Sequence, residues 1–286
     1  MLSQLDGLHA LAGLLVGLLV GLTGVGGGSL MTPLLVLLFG VAPQTAVGTD
    51  LLYAAITKMT GSLVHGSRET VEWKLVRNLA CGSIPATLAT LAVLAHVGHI
   101  GRSAQTTILV VLAGLLALTA LTVLCRDRLL RAAADRSALV PTRHLAIGTM
   151  ALGAVIGVAV SLSSVGAGAI GVTALVLLYP RLPLVRIVGS DIAHAVPLAL
   201  VAGIGHWAIG DVDGRLLAHL LIGSIPGVVA GSLLSTRAPD RLLRPLLALV
   251  LALSSWQLFL RTLALGPAAD PAAITAHPAP VQPQPL

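Results

Sequence analysis

The sequence predicts an all-helical polytopic membrane protein with two inverted repeats, each a broken re-entrant helical hairpin plus three transmembrane helices. Composition, an internal duplication and the placement of arginines support this fold class. Of 286 residues, 56% are hydrophobic and only 10% are charged, and the mean hydropathy is +0.97. A soluble domain has about a quarter charged residues, so most of this surface faces something other than water.

The net charge of +6 does not indicate nucleic-acid binding. That function needs basic residues clustered on one soluble face, whereas here they lie between apolar runs. No HExxH motif or recognisable nucleophile motif occurs, so the sequence does not predict an enzyme. It predicts no cofactor and no metal site, because a zinc centre needs more ligands than this chain brings together.

Apolar runs of about 20 residues, enough to cross a hydrocarbon core of about 30 Å, occur six times. They cover 43–65, 78–97, 104–125, 185–209, 216–235 and 245–265. Two longer apolar regions, 8–40 and 145–180, are interrupted near their middles by glycine-rich segments. Glycine costs about 1 kcal/mol relative to alanine inside a helix, so each cluster of glycines predicts a break.

The two interrupted regions belong to an internal duplication. Residues 17–43 align with 157–183 at an offset of 140, and after one inserted residue 82–85 match 223–226 without a mismatch. Shared apolar composition does not produce matches in one register at several separated places. The predicted organisation is a first repeat over 1–125, an Arg-rich connector over 126–143, a second repeat over 144–265 and a Pro-rich disordered tail over 266–286.

The loop charges favour inverted over parallel repeats. If each interrupted region is a hairpin that returns to its own side, thirteen of the sixteen lysines and arginines in loops and termini lie on one side. If it crosses once, they divide ten to six. Because cytoplasmic loops are enriched in Lys and Arg, the hairpin topology is favoured. It places the connector 126–143 in the cytoplasm and both termini outside.

The two breaks are the predicted substrate site. Irregular backbone at membrane depth is tolerated where protein buries it or a wet cavity receives it, and paired broken helices mark transport sites. The free N–H groups of the second half-helices favour an anion. Close packing through small residues is the competing explanation. The predicted binding residues are Thr23, Gly24, Gly26, Gly27, Gly28, Ser29, Ser163, Ser164, Gly166 and Gly168.

Four ionisable residues inside apolar segments are the predicted ion-coupling groups. Asp50 and Asp191 each lie about seven residues into a span, where a carboxylate is costly and acts as a proton carrier, a cation ligand or a helix cap. Lys58, whose register partner is Ala199, either pairs with a carboxylate or attracts an anionic substrate. His194 lies three residues after Asp191, on the same helix face.

The order and duplication of several motifs resemble the sulfite exporter TauE/SafE family, also described as the sulfonate-uptake permease superfamily. The resemblance is carried by Leu22–Ser29, Pro43–Thr49 and Thr70–Trp73 with their second-half counterparts, and it covers residues 8–263. It implies transport of sulfite, sulfonates or related small oxyanions across the plasma membrane.

The same resemblance implies that Thr49 and Ser190 line the central site with the glycine-rich breaks. In the family pattern, small or hydroxyl residues surround the first of these positions. Here an aspartate follows in both halves, which favours ion coupling. Ala167 replaces the middle glycine of the second break, so the two hairpins are expected to contribute unequally.

The sequence therefore predicts a secondary transporter for a small oxyanion, coupled to protons or another ion. One alternative is a cation carrier that uses Asp50, Asp191 and His194 as ligands. Another is a non-transporting membrane scaffold that docks partners through its connector and tail. The predicted partners are a small anionic solute and the lipid bilayer, without nucleic acid, and both a monomer and a homodimer fit the sequence.

Overall fold

Ten helices of ten residues or more account for the regular structure of the described part of the chain. The computed structural model describes residues 2–23, 28–65, 71–97, 102–126, 128–129, 142–166, 168–234 and 240–265. The helices are α1 (Leu2–Thr23), α2 (Gly28–Leu37), α3 (Pro43–His65), α4 (Trp73–Val97), α5 (Arg102–Leu124), α6 (Thr142–Ser163), α7 (Ala169–Leu178), α8 (Leu184–Ile209), α9 (Gly214–Leu234) and α10 (Asp240–Leu265). The predicted helical class is confirmed.

Six of these helices are long and apolar enough to cross a membrane: α4, α5, α6, α8, α9 and α10. The number agrees with the prediction, but the set differs. Residues 43–65 do form the continuous helix α3, yet its polar residues, Asp50 and Lys58 among them, lower its hydropathy. In its place α6, predicted only as part of an interrupted region, is long enough to span.

Each interrupted region consists of one long and one short helix rather than two equal halves. Helices α1 and α6 have 22 residues, whereas α2 and α7 have ten. Ten residues rise about 15 Å, roughly half of a bilayer core. The short helices α2 and α7 therefore cannot cross a membrane alone.

The second break lies where it was predicted, between the end of α6 and the start of α7. Gly166 and Gly168 have φ angles of 126° and 132°, a region in which side chains are strongly disfavoured. Ser164 also has a positive φ of 58°. Residues 24–27 of the first predicted break lie outside the described residues, between the end of α1 at Thr23 and the start of α2 at Gly28.

Helix contacts are nearly unchanged when the two halves are exchanged. Helix α1 packs on α9, and its counterpart α6 packs on α4. Likewise α3 contacts α9 while α8 contacts α4, and the pairs α2–α3 and α7–α8 correspond. Two contacts, α3–α8 and α5–α10, join a helix to its own counterpart. The duplication in sequence is therefore also a duplication in packing.

Matched glycines allow the backbones of the largest helix pairs to touch. A Cβ added at Gly17 on α1 would come within 3.0 Å of the Ser224 backbone on α9, and one at Gly157 on α6 would equally meet Ser83 on α4. These two contacts are equivalent in the repeat register. Small residues permit such close approach between membrane helices, so these glycines have the packing role weighed above.

Helices α3 and α8 meet in an antiparallel arrangement. Near the start of α3, Gly48 lies against His206, whereas Leu52 lies against Gly203. As the residue number rises along α3, it therefore falls along α8. The two helices that carry the predicted ion-coupling residues thus face each other across the centre of the molecule.

Candidate functional site

Two buried carboxylates occupy equivalent positions at the centre of the structure. Asp50 and Asp191 are each the eighth residue of their helices, α3 and α8, and they are 0% and 2% exposed. Neither forms an ion pair with another described residue. Buried carboxylates are costly unless they are paired or hydrogen-bonded, so the partners of each aspartate matter.

Asp50 is held by Thr32, the fifth of the ten residues of the short helix α2. Its Oδ2 accepts hydrogen bonds from the Thr32 backbone N–H at 3.2 Å and from the Thr32 hydroxyl at 2.5 Å. The hydroxyl of Ser164, in the break of the other half, also faces this carboxylate, but no hydrogen bond of normal geometry joins them. A cap at a helix start near Gly48 is not formed, because α3 runs unbroken from Pro43 to His65; Asp50 instead joins α3 to α2 and also faces the second break.

Asp191 meets the start of its own short helix without such a donor. A Cβ added at Gly171, in the first turn of α7, would lie 2.6 Å from Asp191 Oδ1, so the carboxylate occupies the space above that glycine. The register counterpart of Thr32 is Val172, which has no hydroxyl. Among the described residues, Asp191 Oδ1 has no hydrogen-bond partner.

Lys58 is the cation that the two carboxylates share. It is partly buried on α3 and lies within Coulombic range of Asp50, Asp191 and His194. No described carboxylate approaches it closely enough for an ion pair. Because Ala199 stands at the equivalent position in α8, one lysine serves both aspartates.

His194 and Tyr53 are equivalent in the repeat register and lie one turn after their aspartates. His194 is 1% exposed, and its Nε2 is 2.7 Å from the Ser83 hydroxyl on α4, while Nδ1 has no partner among the described residues. Tyr53 is completely buried beside Ser224 on α9, but neither hydroxyl has a hydrogen bond of normal geometry in the described part of the chain.

The hydroxyls of Thr49 and Ser190 bond to the loops that precede α9 and α4. Thr49 Oγ1 accepts a hydrogen bond from the Asp213 backbone N–H at 3.2 Å. Ser190 Oγ accepts one from the Glu72 backbone N–H at 2.8 Å and donates one to the Arg186 carbonyl at 2.7 Å. Both hydroxyls therefore join helices across the two halves, and their contact with a substrate stays a prediction.

The second break presents one organised turn and one uncapped helix end. The Ser163 hydroxyl donates to the Ala159 carbonyl at 2.7 Å and accepts from the Val165 backbone N–H at 3.1 Å. The Ser164 hydroxyl has no such partner in the described residues. Gly168 is the N-cap of α7, and no side chain caps this end.

Of the residues predicted for the first break, Gly24, Gly26 and Gly27 lie outside the described residues. Thr23 and Gly28 are the terminal residues of α1 and α2, and Ser29 is partly buried in the first turn of α2. No three His, Cys, Asp or Glu side chains of the described ranges come together as a metal site.

Four residues of this centre, Thr32, Tyr53, Ser83 and Ser224, were not among the predicted site residues. Ser83 and Ser224 belong to the segments 82–85 and 223–226, which were used only to detect the duplication. A comparison of polar residues at equivalent positions of the two repeats provides the missing signal.

Known proteins support a membrane-transporter identity over most of the chain. Residues 9–258 match the family model described as Sulfite exporter TauE/SafE. The Probable membrane transporter protein YjnA of Bacillus subtilis (strain 168) is 41% identical over 87% of this chain and 97% of its own length. YdhB of the same organism, with the same description, is 26% identical over 84% of this chain and 94% of its own length.

A Probable membrane transporter protein of Xylella fastidiosa (strain 9a5c) is 28% identical over 79% of this chain and 83% of its own length. No solved structure matches the chain significantly. The family match confirms the resemblance carried by the duplicated motifs. The chain is a multi-pass membrane transporter that belongs to the sulfite exporter TauE/SafE family.

Proposed function

We propose that this chain is a secondary transporter that moves sulfite, a sulfonate or a related small organic oxyanion across the plasma membrane and couples this transport to an ion. The observation that supports the proposal is the meeting of each short helix with a buried carboxylate, Asp50 at the second turn of α2 and Asp191 at the first turn of α7. Anion-attracting helix termini and ionisable groups thus share one buried centre.

The proposed anion site is the uncapped start of α7. Backbone N–H groups at a helix N-terminus attract anions, and the side chain of Ser164 adds a hydroxyl without a described hydrogen bond. The residues of the first break, Thr23 to Ser29, complete the site in this proposal. Thr49 and Ser190 support this site by hydrogen bonds that hold α3 and α8 to the opposite half.

The helix directions support inverted repeats within this proposal. Helices α3 and α8 are equivalent, and they run antiparallel where they meet. Repeats inserted in the same orientation would make these two helices parallel. With the positive-inside rule, inverted repeats give a cytoplasmic connector 126–143 and two external termini.

Cysteine labelling in intact cells tests the topology. Cys81 and Cys125 are first replaced by alanine, and single cysteines are then introduced by Ser3→Cys and Ser137→Cys. An impermeant reagent is expected to label the first variant from outside and the second only after the cells are opened. Labelling of both from the same side would contradict inverted repeats.

Ligand-induced thermal stabilisation of the purified full chain tests the substrate class. A ligand at about 100 times its Kd stabilises the folded state by about 2.7 kcal/mol, so sulfite, sulfonates and carboxylates can be compared in one panel. At least one sulfur oxyanion is expected to raise the unfolding temperature. Stabilisation by divalent cations alone would instead support the cation carrier that uses Asp50, Asp191 and His194.

A further inference from the structure

We propose that Asp191, and not its counterpart Asp50, binds the coupling proton, and that the proton binds together with the transported anion. This inference rests on the proposed function, since it assigns the coupling ion and its site. It predicts symport, in which proton and anion cross in the same direction. The difference between the two carboxylates carries the assignment.

Asp50 is the more strongly hydrogen-bonded of the two carboxylates. Its Oδ2 receives both the backbone N–H and the hydroxyl of Thr32. Hydrogen bonds donated to a carboxylate stabilise its ionised form. Its Oδ1 has no partner among the described residues, so a proton would bind there and leave Oδ2 as a neutral, weaker acceptor for the two buried Thr32 donors. Asp50 is therefore a poor place for a proton that must bind and leave in each cycle.

Asp191 is equally buried but lacks the two donors that Asp50 receives from Thr32. Its Oδ1 is buried above Gly171 without a donor among the described residues, and Val172 replaces the threonine. A proton on this carboxyl removes a buried charge without breaking a described hydrogen bond. One turn later, His194 has an unpartnered Nδ1, while Ser83 fixes its Nε2.

Among the described groups packed around Asp191, the positive charge that acts on it is that of Lys58. Helix α3 contributes Lys58, which acts on Asp191, and Asp50, which acts on the same lysine. Helix α7 contributes Gly171, and α6 contributes the apolar side chain of Ile156 at that glycine. Helix α4 contributes the neutral Ser83, which bonds to His194.

The charge count of this centre links the proton to the anion. Two carboxylates and one lysine already leave one negative charge in excess. An oxyanion that arrives at α7 adds another negative charge in a buried region, where unpaired charges are strongly unfavourable. Protonation of Asp191 offsets the incoming charge at the same helix terminus. Anion binding and proton binding therefore favour each other.

Infrared difference titration of the full chain in liposomes tests the assignment without any substrate. The carbonyl band of a buried protonated carboxyl is expected to appear and disappear with pH in the parent protein. It should be lost in Asp191→Asn and kept in Asp50→Asn. Loss in Asp50→Asn with retention in Asp191→Asn would overturn the assignment, as would a band that survives in both.

Reciprocal exchange of the α2 and α7 partners keeps the test decisive if an asparagine variant does not fold. Val172→Thr gives Asp191 the kind of donor that Asp50 has, so the protonated band is expected to weaken at the same pH. Thr32→Val removes the donor from Asp50 and should add a second titrating band. Unchanged spectra in both variants would contradict the proposed role of these donors.

Transport in proteoliposomes tests the symport, with sulfite and a short alkyl sulfonate as probes. A gradient of about one pH unit drives about tenfold accumulation for each co-transported proton, with the anion moving toward the alkaline side. Asp191→Asn is expected to lose this accumulation but to keep exchange of labelled for unlabelled anion. Movement toward the acidic side would exclude symport. If neither probe is transported, the proposed substrate class fails, while the infrared titration still decides the proton site.

Discussion

The two halves of the molecule are alike in their packing and different in their buried polar groups. Equivalent glycines bring α1 against α9 and α6 against α4 at equivalent positions. In contrast, Asp50 is bonded by Thr32, whereas Asp191 lies against Gly171 and a valine, Val172, stands at the register position of that threonine. At these glycines, backbone contact excludes any larger residue in both halves. The side chains around the carboxylates are under no such restriction, and they differ between the halves.

A symmetric architecture need not give symmetric chemistry. A shared backbone frame places two aspartates, two serines and two short helices in matching positions. Two pairs of residues diverge. Thr32 bonds Asp50 whereas Val172 has no hydroxyl, and Tyr53 and His194 place different polar groups one turn after the aspartates. Substitutions at matched positions should therefore have equal effects in the helix interfaces and unequal effects at the centre.

The largest and most equal effects are expected at the interface glycines. A Cβ added at Gly82 or Gly223 would overlap the backbone carbonyl of Met150 or Ala10, respectively. Gly82→Ala and Gly223→Ala should each destabilise the protein by about 3 kcal/mol or more, because the helices must separate. Thermal unfolding measures both, and Gly114→Ala, which meets nothing within 4 Å, is the control. If one of the pair tolerates alanine, the two interfaces are not equivalent.

Removal of Lys58 should affect both aspartates, because the equivalent position in α8 is Ala199 and supplies no second cation. In Lys58→Met, the two buried carboxylates lose the cation that acts on both, so unfolding free energy and anion transport should both fall. A double-mutant cycle with Asp191→Asn is expected to give a coupling of about 1 kcal/mol, within the range of interacting neighbours. Ala199→Met, at the equivalent position of α8, is the matched control. Strict additivity would mean that Lys58 does not serve Asp191.

The two serines of the matched segments should differ in how much stability is lost when the hydroxyl is removed. Ser83→Ala leaves the buried Nε2 of His194 without its 2.7 Å partner, which costs about 1–3 kcal/mol. Ser224→Ala removes a hydroxyl that has no normal hydrogen bond in the described residues, so its cost should stay below about 1 kcal/mol. Chemical or thermal unfolding compares them. Equal losses would show that Tyr53 depends on Ser224 as His194 depends on Ser83.

The sequence was sufficient to predict the helical membrane class, the family and the position of the second break. Hydropathy and duplication are properties of the chain alone, and clustered glycines between apolar runs disfavour a continuous helix. The prediction of 43–65 as an apolar span did not hold, because polar residues such as Asp50 and Lys58 lower the hydropathy of α3. Its neighbours, rather than its own composition, allow it to be buried.

The partners of the carboxylates could not be predicted in the same way. The bond from Thr32 to Asp50 joins residues 18 apart, and it exists only because α2 folds back on α3. Resemblance indicated Thr49 and Ser190 as site residues, but it did not show that their hydroxyls also bond loops more than a hundred residues away. Such contacts depend on the tertiary arrangement. In the sequence, positions at which the two repeats differ, such as Thr32 and Val172, are the available indication of where the partners of the carboxylates lie.

The smallest effect is expected at the break itself, where Ser164 stands opposite Gly24 in the repeat register. Ser164 has a φ of 58°, and the left-handed region costs a residue with a Cβ about 1–2 kcal/mol. Ser164→Gly should therefore stabilise the fold by up to about 1 kcal/mol, after the greater entropy loss of glycine is subtracted. Ser164→Ala removes the hydroxyl but keeps the strain, so it should give no gain in thermal unfolding. A weaker response to anions in both variants would assign that effect to the hydroxyl, whereas a gain in stability from alanine would show that the φ angle is not strained.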